Sequence, residues 1–487
     1  MLTLCEREPR DGQQTPGQSI AAWSNIEVSE ISGASSAPTR QTAGVERQHE
    51  YVLRAVEERG IRLVRLWFTD VLGQLKSVAI SPAELETAFE EGLHFDGSAI
   101  DGFSRVQEND VLARPDASTF ELLPWADEGA TARMFCDIFN PDGTPFQGDP
   151  RHVLKRNLMA AREAGFRFFV APEMEFFYFG DGDPSHKPTL LDSGSYFDLT
   201  TNDVASDLRR QTISVLEQMG IPIEYSFHED SPSQHEIDLR YTDALTMADQ
   251  VMTFRLVVRE LALERGHYAT FMPKPLAGVQ GSGMHLHLSL FDDEDNAFHD
   301  DNAEYGLSEI GRAFTAGLLH HAREITAVTN QLVNSYKRLV LGFEAPVWVS
   351  WAQNNRSALI RVPVTKADKT SSTRIEFRSP DPACNPYLAF SVILAAGLRG
   401  VRENYELPAE INRNLFELNP EAAKAAGIAP LPTSLAEALD VMEGSELVKE
   451  ALGEHIFEWF LRNKRAEWLS YKAQVSQWEL ERYLPSW

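Results

Sequence analysis

The sequence predicts an α+β protein in which a large antiparallel sheet carries the functional site. Two alternating apolar runs between Ile61 and Ile80 flank the turn segment TDVLG at 69–73, a pattern typical of a β-hairpin. The apolar segment from Phe168 to Phe179 predicts a buried strand. A long helix is predicted by apolar residues at helical spacing, namely Met247, Val251, Phe254, Val258 and Leu261.

The composition predicts three segments along the 487 residues. Residues 1–44 are rich in Ser, Ala, Gly, Gln and Thr and have no apolar period, which indicates a disordered N-terminal extension. An amphipathic helix with Tyr51, Val52, Ala55 and Val56 on its apolar face then opens a small, mostly β domain at 45–148. Turn-forming residues at 141–145 and 149–150 end that domain. A larger domain is predicted at 149–487.

Charge and cysteine content narrow the class of protein. The formal net charge of −27 argues against nucleic acid and anionic membranes as partners, although a local arginine cluster can still bind small anions. Three widely separated cysteines predict reduced thiols and a cytoplasmic protein. The longest uncharged apolar run, Pro386 to Leu398, is too short to span a bilayer and predicts a buried helix.

Three distant segments each carry charged or imidazole side chains two residues apart. Residues i and i+2 of a strand point to the same face, so these side chains are expected to project into one cavity. Carboxylates with an imidazole suit hard divalent cations, and arginines suit phosphates and carboxylates. The residues are Glu173 and Glu175, His285 and His287, and Arg374, Glu376 and Arg378.

Two further segments are weak signals alone but add candidate residues to the same site. Glu229 and Glu236 flank a Pro/Ser turn, which alone is more often a polar loop than a ligand set. The glycine-rich stretch before His285 is neither a Walker A loop nor a dinucleotide fingerprint, because no Gly-Lys-Ser/Thr and no helix follow it. Its glycines are expected to let the backbone approach a substrate. For Glu173 and Glu175, a solvated edge strand or a structural ion pair stays an open alternative.

Arginines dominate the next segments. Arg338 precedes a polar loop with a glycine at 342 and an acid, Glu344, near its tip, and Arg356 and Arg361 follow. With the two arginines around Glu376, this set suits a triphosphate together with a carboxylate substrate. A surface ion-pair ladder fits poorly, because the flanking residues are apolar.

Taken in this order, the motifs from about residue 46 to the C-terminus closely resemble bacterial type I glutamine synthetase. The resemblance implies a small N-terminal β-grasp domain and a larger catalytic domain. It also implies a homo-oligomer, a dodecamer of two stacked hexameric rings, with active sites between adjacent subunits. The expected cofactors are Mg²⁺ or Mn²⁺, two or more per site, with ATP as co-substrate.

The resemblance also implies residue roles. One cation would be held by Glu175, Glu229 and Glu236, and a second by Glu173, His285 and Glu376. Glutamate and ammonium would be bound by Tyr196, Glu229, Gln280, Gly281, Arg338 and Arg378. ATP would contact Glu224, His287, Ser289, Arg356, Arg361 and Arg374. The catalytic residues would be Asp96, Glu344 and Arg356, with Asp96 contributed by a neighbouring subunit.

The implied activity is glutamate–ammonia ligation through a γ-glutamyl phosphate. A carboxylate cannot expel oxide at neutral pH, so phosphoryl transfer from ATP is needed to create a leaving group. Two alternatives stay open: a γ-glutamyl-polyamine or γ-glutamyl-amine ligase with the same activation chemistry, and a non-catalytic oligomer. Asp96, Tyr196 and Glu229 favour ammonia, whereas Ala99 stands where family members often carry serine. Gln280 replaces an asparagine of the family.

Overall fold

The structure, a computed structural model, describes residues 42–98, 100, 102, 110–125, 130–199, 203–293, 295–364 and 369–487. Most of the expected N-terminal extension, and Ala99, lie outside the described residues. The boundaries at 44/45 and 148/149 stay predictions, although the first helix already begins at Thr42.

The N-terminal part is built on a six-stranded sheet of order β2-β1-β6-β4-β3, with β5 paired to β6. Its strands are β1 (Leu63–Thr69), β2 (Leu75–Ile80), β3 (Leu93–Asp96), β4 (Asp110–Pro115), β5 (Glu121–Leu122) and β6 (Thr131–Phe139). Its helices are α1 (Thr42–Glu58) and α2 (Leu85–Glu90). Strands β1 and β2 are antiparallel, which confirms the predicted hairpin, whereas β1 and β6 are parallel.

Helix α1 covers this sheet with a narrower apolar face than the sequence predicts. Val52, Ala55 and Val56 are buried, but Tyr51 is 59% exposed, so its assignment to the buried face was wrong. With about 100° between successive residues, Tyr51 falls roughly a quarter turn away from the centre of the other three.

The larger part is built on a ten-stranded sheet of order β14-β15-β16-β12-β7-β9-β8. Its strands are β7 (Arg167–Phe179), β8 (Ile223–His228), β9 (Gln234–Leu239), β10 (Thr242–Asp243), β11 (Tyr268–Thr270), β12 (Met284–Asp292), β13 (Asp295–Asn296), β14 (Trp351–Ala352), β15 (Ile360–Arg361) and β16 (Ile375–Phe377). The central pairs β7–β12, β12–β16 and β7–β9 are antiparallel, and only the β14–β15 pair among the described ladders of this sheet is parallel. The predicted strand at 168–179 is confirmed as β7.

Helices pack around this sheet. They are α3 (Pro150–Glu163), α4 (Ser206–Gln218), α5 (Ala244–Glu264), α6 (Glu309–Thr329), α7 (Ser335–Arg338), α8 (Pro386–Glu403), α9 (Pro420–Ala425), α10 (Leu435–Glu443), α11 (Glu446–Leu452), α12 (Glu454–Lys472) and α13 (Gln477–Tyr483). The predicted apolar stripe of α5 is fully buried, and α8 is the buried helix expected after Asn385. Helices α6 and α8 touch at Gly317 and Gly400, where an added Cβ at Gly400 would lie 2.7 Å from the Cα of Gly317.

The α+β class is therefore confirmed, with a small sheet domain followed by a sheet-and-helix domain. Cys136 and Cys384 are buried free thiols. None of the described helices has the length and apolarity needed to cross a membrane.

Candidate active site

Strand register brings the acidic and imidazole side chains together. Glu173 on β7 lies opposite His285 on β12, and His287 on β12 lies opposite Glu376 on β16. On the other edge of β7, Glu175 pairs with Glu236 of β9, and Glu173 pairs with Asp238. Directly opposed residues of neighbouring strands have Cβ atoms about 5 Å apart, so four adjacent strands place their charged groups in one patch.

This patch lines a cavity of about 270 Å³, which we call the acidic pocket. Seven carboxylates line it: Glu173, Glu175, Glu229, Glu236, Asp238, Glu344 and Glu376. Four arginines also line it: Arg338, Arg356, Arg361 and Arg378. His285, Tyr196, Gln280 and Gly281 complete the predicted residues in its wall. The pocket thus has three more acids than arginines.

A second cavity of about 550 Å³, which we call the adjoining cavity, shares Glu173, Asp238 and Arg361 with the acidic pocket. It holds the other residues predicted for ATP: Glu224, His287, Ser289 and Arg374. The side chains of the i, i+2 pattern are therefore distributed over two adjoining cavities that share Glu173. Residues two apart on a strand lie roughly 6.6 Å apart along it, so His285 and His287 open into different cavities.

Two carboxylates of the acidic pocket, those of Glu173 and Glu376, are kept ionised by neighbouring histidine and arginine side chains. Glu173 accepts hydrogen bonds across 3.0 Å from Nδ1 of His285 and 2.7 Å from Nε2 of His287. Burial works to raise the pKa of Glu173, but the two histidines outweigh it and the pKa lies well below its usual value. Glu376 is buried, and although burial opposes it, the Arg378 guanidinium helps lower the pKa of this carboxyl group.

Other carboxylates of the pocket lack sufficient positive charge. Burial and the neighbouring Glu229 raise the pKa of Glu175 to about 8. Burial and Glu173 raise the pKa of Asp238 to about 7, and burial and Asp238 raise the pKa of Glu236 well above its usual value. Burial also raises the pKa of Glu229. These groups would release their protons if cations were placed among them.

The donor atoms fit divalent cations. Ligand atoms of Glu173, His285 and Glu376 lie within 4.8 Å of one another, and so do those of Glu173, Glu236 and Asp238. Within the described part of the chain, Nε2 of His285 and Oδ1 of Asp238 are buried without a hydrogen-bond partner. Burial, with Arg378 nearby, lowers the pKa of His285, so the ring is neutral as a metal ligand must be.

A third cluster, Asp192, His228 and His235, is held by contacts within the chain, although Nε2 of His235 and Oδ2 of Asp192 have no hydrogen-bond partner among the described residues. The two ring nitrogens of His228 already contact Oδ1 of Asp192 at 3.1 Å and the carbonyl oxygen of Glu229 at 2.6 Å. Nδ1 of His235 is occupied by the Arg209 guanidinium at 2.8 Å. Through the contact of His228 with the carbonyl oxygen of Glu229, this cluster holds the backbone at Glu229 in position.

Glycines bring the Gly-rich loop against Arg338. A Cβ on Gly283 would lie 2.4 Å from Nη2 of Arg338, and a Cβ on Gly281 would lie 2.3 Å from the carbonyl oxygen of Pro273. Arg338 is buried and donates to the carbonyl oxygens of Arg378 and Ser379. The glycines therefore serve contacts within the protein, and the Gly283 amide donates to Oε2 of Glu175 across 2.9 Å.

The loop at 339–346, which we call the flap, lies over the acidic pocket with Phe343, Glu344 and Ala345 in its wall. Nζ of Lys274 lies 3.7 Å from the centre of the Phe343 ring, a cation–π contact. The carboxylate of Glu344 belongs to an exposed residue at the pocket rim.

The structure places one predicted residue, Asp96, outside both cavities, and it adds two residues that were not predicted to the site. Asp96 is exposed at the end of β3 and is not among the described residues lining either cavity. Asp238 was missed, although the i, i+2 rule applied to Glu236 would have found it. Gln234 was also missed. It is buried and its Nε2 donates 3.1 Å hydrogen bonds to Glu175 and to the Gly281 carbonyl, a contact with no signal in the sequence.

Comparisons with known proteins agree with this geometry. Residues 147–483 match the family described as glutamine synthetase, catalytic domain, and residues 60–141 match glutamine synthetase, beta-Grasp domain. Relatives named glutamine synthetase include one from Mycobacterium tuberculosis, 57% identical over 444 residues, covering 90% of this chain and all of the relative. Another, from Methanosarcina mazei, is 51% identical over 439 residues, covering 89% of this chain and 97% of the relative.

Solved structures give the same result for the fold. A GmaS/ADP complex superposes with a TM-score of 0.80 at 31% identity, covering 89% of this chain and 99% of the other. An apo GmaS structure superposes with a TM-score of 0.78 at 31% identity over the same shares of each chain.

Proposed function

The chain belongs to the glutamine synthetase family of ligases, and from this premise we propose that it joins ammonia to the γ-carboxylate of glutamate with ATP, through a γ-glutamyl phosphate. The observation that carries the proposal is the acidic pocket itself. Its carboxylates outnumber its arginines by three, and a second, arginine-containing cavity adjoins it through Glu173. A site for cations and anionic substrates together requires such a mixture.

In this proposal, glutamate binds in the acidic pocket and ATP binds in the adjoining cavity. Arg338 and Arg378, both buried in the acidic pocket, suit the carboxylates of glutamate, with the Gly281 and Gln280 loop beside them. Glu224, His287, Ser289 and Arg374 in the adjoining cavity suit the nucleotide, and Arg361 faces both cavities. The ADP bound to the similar GmaS structure supports nucleotide binding in this fold.

The cation ligands proposed are Glu175, Glu229 and Glu236 for one ion and Glu173, His285 and Glu376 for the other. When bound, Mg²⁺ or Mn²⁺ would supply positive charge to the transferring phosphoryl group and complete the charge balance of the pocket. Asp238 lies between the two sets and adds a carboxylate to the same wall.

The chemistry follows from this placement. An oxygen of the γ-carboxylate attacks the terminal phosphorus of ATP, ADP leaves, and the acyl phosphate carries a leaving group that the carboxylate lacked. Arg356 and Arg361 at the pocket wall would neutralise charge on the phosphoryl oxygens. The flap would keep water from the acyl phosphate.

Ammonium must lose a proton before its nitrogen can attack the acyl carbon. Glu229 and Glu344 are the carboxylates at the rim of the pocket beside Tyr196, so we assign them to bind ammonium and receive that proton. Attack then forms the amide and expels phosphate. Asp96 would join them from a neighbouring subunit, which makes the proposed dodecamer part of the site. A cytoplasmic location is proposed with it.

A γ-glutamyl-amine or γ-glutamyl-polyamine ligase is the second candidate. It requires the same cation, nucleotide and glutamate residues and differs only in the nucleophile. Tyr196 is the observation that favours it, because this side chain lines the pocket beside Glu229 and is 43% exposed, where a larger amine could contact it.

The test measures product mass and phosphate release with glutamate, ATP and Mg²⁺, offering ammonium, putrescine, spermidine or ethanolamine in parallel. Efficient glutamine formation with ammonium is expected. Phosphate release driven mainly by an amine, with the matching γ-glutamyl adduct, would replace ammonia by that amine. An absence of both products would overturn the ligase proposal.

A further inference from the structure

The side chain of Gln280 joins two loops that carry the proposed proton acceptors. Its Oε1 accepts a 2.8 Å hydrogen bond from the backbone amide of Glu344 in the flap. Its Nε2 faces Oδ2 of Asp230 at 3.4 Å, in the turn between β8 and β9. The amide therefore spans the rim of the acidic pocket from the flap to that turn.

Hydrogen bonds also link the turn between β8 and β9 to Glu229, the other proposed proton acceptor. The backbone amide of Asp230 donates to Oε2 of Glu229 across 2.6 Å, and Oγ of Ser231 donates to the carbonyl oxygen of Gln280 across 3.3 Å. On the far side, Oγ of Ser195 donates to Oδ1 of Asp230 across 3.4 Å and brings in the loop that carries Tyr196.

The length of the side chain matters for this bridge. A glutamine places its amide one methylene further from the backbone than an asparagine would. The Glu344 amide at 2.8 Å and the Asp230 carboxylate at 3.4 Å are reached by the two ends of one planar group. Gln280 thus fixes the separation of the segments that carry Glu229 and Glu344.

We infer that Gln280 determines nucleophile size: its amide closes the rim between Glu344 and Asp230, so that the pocket admits ammonium and excludes larger amines. The inference rests on the proposed function and names the residue that sets its specificity. An ammonium ion occupies about the volume of a water molecule, roughly 30 Å³, whereas every added methylene of an amine needs further space beside this bridge.

The experiment compares Gln280→Ala and Gln280→Asn with the parent protein, each given ammonium and ethanolamine, or ammonium and putrescine, in competition. The product ratio of γ-glutamyl-amide to glutamine is measured by mass spectrometry. We expect Gln280→Ala to raise this ratio about tenfold or more, the size of effect that a missing methylene contact gives in a binding pocket. Gln280→Asn should fall between, because its amide is retained but reaches less far. A ratio within about twofold of the parent value in both variants would overturn the inference.

The matched control is Gln218→Ala on α4, an exposed glutamine whose Nε2 contacts only the hydroxyl of Ser214 in the described structure. It should leave the product ratio unchanged. If Gln280→Ala is too slow to assay, the ratio in Gln280→Asn decides.

Hydrogen exchange separates this inference from the proposed function. The Glu344 amide loses its acceptor in Gln280→Ala, so the flap peptide at 339–346 should exchange faster than in the parent protein. If the parent protein makes neither glutamine nor a γ-glutamyl-amide, the proposed function fails, and unchanged flap exchange in Gln280→Ala would overturn the bridge as well. Faster exchange in that case would retain the bridge alone.

Discussion

Two clusters of arginines and carboxylates in this chain differ in how completely their charges are paired within the protein. Around Arg151, the guanidinium contacts Asp137 at 2.7 Å, Asp116 at 2.9 Å and both oxygens of Asp249. Tyr387 donates to Asp249 across 2.6 Å, and Lys155 also contacts Asp137. This set, the Arg151 cluster, joins strands of the small sheet to helices α3, α5 and α8.

The pKa shifts of the two clusters differ accordingly. Burial alone would lower the pKa of Arg151, but Asp249 and Asp137 raise it well above its usual value. Burial opposes the ionisation of Asp116, yet Arg151, Ser118 and Lys155 bring its pKa below the usual value. In the acidic pocket the pKa of Glu175 and the pKa of Asp238 are raised instead. Charges paired within the chain stay ionised without outside help and cost stability when one partner is removed, whereas the raised pKa values in the acidic pocket fit its proposed role as a cation site.

Removing one carboxylate from the acidic pocket should cause the largest loss of activity. We expect Glu376→Ala to lower kcat by about 10³-fold, since it removes a proposed cation ligand and leaves Arg361 and Arg378 without their shared acid. Initial rates of ATP-dependent ligation measure this. Near-normal turnover would defeat the proposed site. Glu443→Ala, an exposed acid paired with Arg465, is the control and should keep the parent rate.

Breaking the Arg151 cluster should affect stability. Arg151→Met leaves Asp116, Asp137 and Asp249 partly buried without their cation, and we expect a loss of about 3–5 kcal/mol in the free energy of unfolding. Urea unfolding measures it, while Mn²⁺ binding by the folded variant should be retained. A loss below about 1 kcal/mol would mean that the two clusters do not differ as described.

Cation removal should act only on the acidic pocket and should depend on pH. Folded-state pKa values raised to about 8 at Glu175 and about 7 at Asp238 lie above those of the unfolded chain. Without cations, stability should therefore be highest below about pH 4 to 5 for these groups and fall as pH rises toward 8. Mg²⁺ or Mn²⁺ at about 100 times Kd should restore about 2.7 kcal/mol at pH 8. Thermal unfolding in EDTA and in Mn²⁺, from pH 6 to 8.5, measures both effects; identical pH profiles with and without cation would contradict the charge imbalance.

The smallest expected effect is that of Asp238→Asn. The substitution removes a carboxylate whose Oδ1 has no hydrogen-bond partner among the described residues and whose residue is 9% exposed, so the cation-free protein should gain on the order of 1 kcal/mol at pH 8. The same change should weaken Mn²⁺ binding. Calorimetric titration and thermal unfolding check the two halves of this prediction. Weaker cation binding without any gain in the stability of the cation-free protein would mean that positive charge within the chain already offsets the Asp238 carboxylate.

Local patterns in the sequence predicted the parts of the site that depend on strand geometry. Glu173 and Glu175 share a face of β7 because side chains alternate along a strand, and the same rule placed Glu376 and Arg378. The buried apolar stripe of α5 was predicted in a similar way, since its residues repeat at helical spacing. These features need only a few neighbouring residues to specify them.

Long-range contacts could not be predicted in this way. The division into two cavities depends on where β12 crosses β7 and β16, which is set by register and not by spacing along the chain. The contacts of Gln280 to Glu344 and of Gln234 to Glu175 join residues far apart in sequence. The exposure of Tyr51 depends on the rotation of α1 over its sheet, which no pattern within the helix fixes.

In the proposed function, the acidic pocket and the adjoining cavity together activate the γ-carboxylate of glutamate by phosphorylation. Glutamate labelled with ¹⁸O in both γ-oxygens, turned over with ATP, Mg²⁺ and ammonium, tests this directly. One labelled oxygen should leave in each phosphate released and the other should remain in the amide of glutamine, because the acyl–oxygen bond breaks when nitrogen attacks. Amide formation with unlabelled phosphate would exclude a γ-glutamyl phosphate as the intermediate.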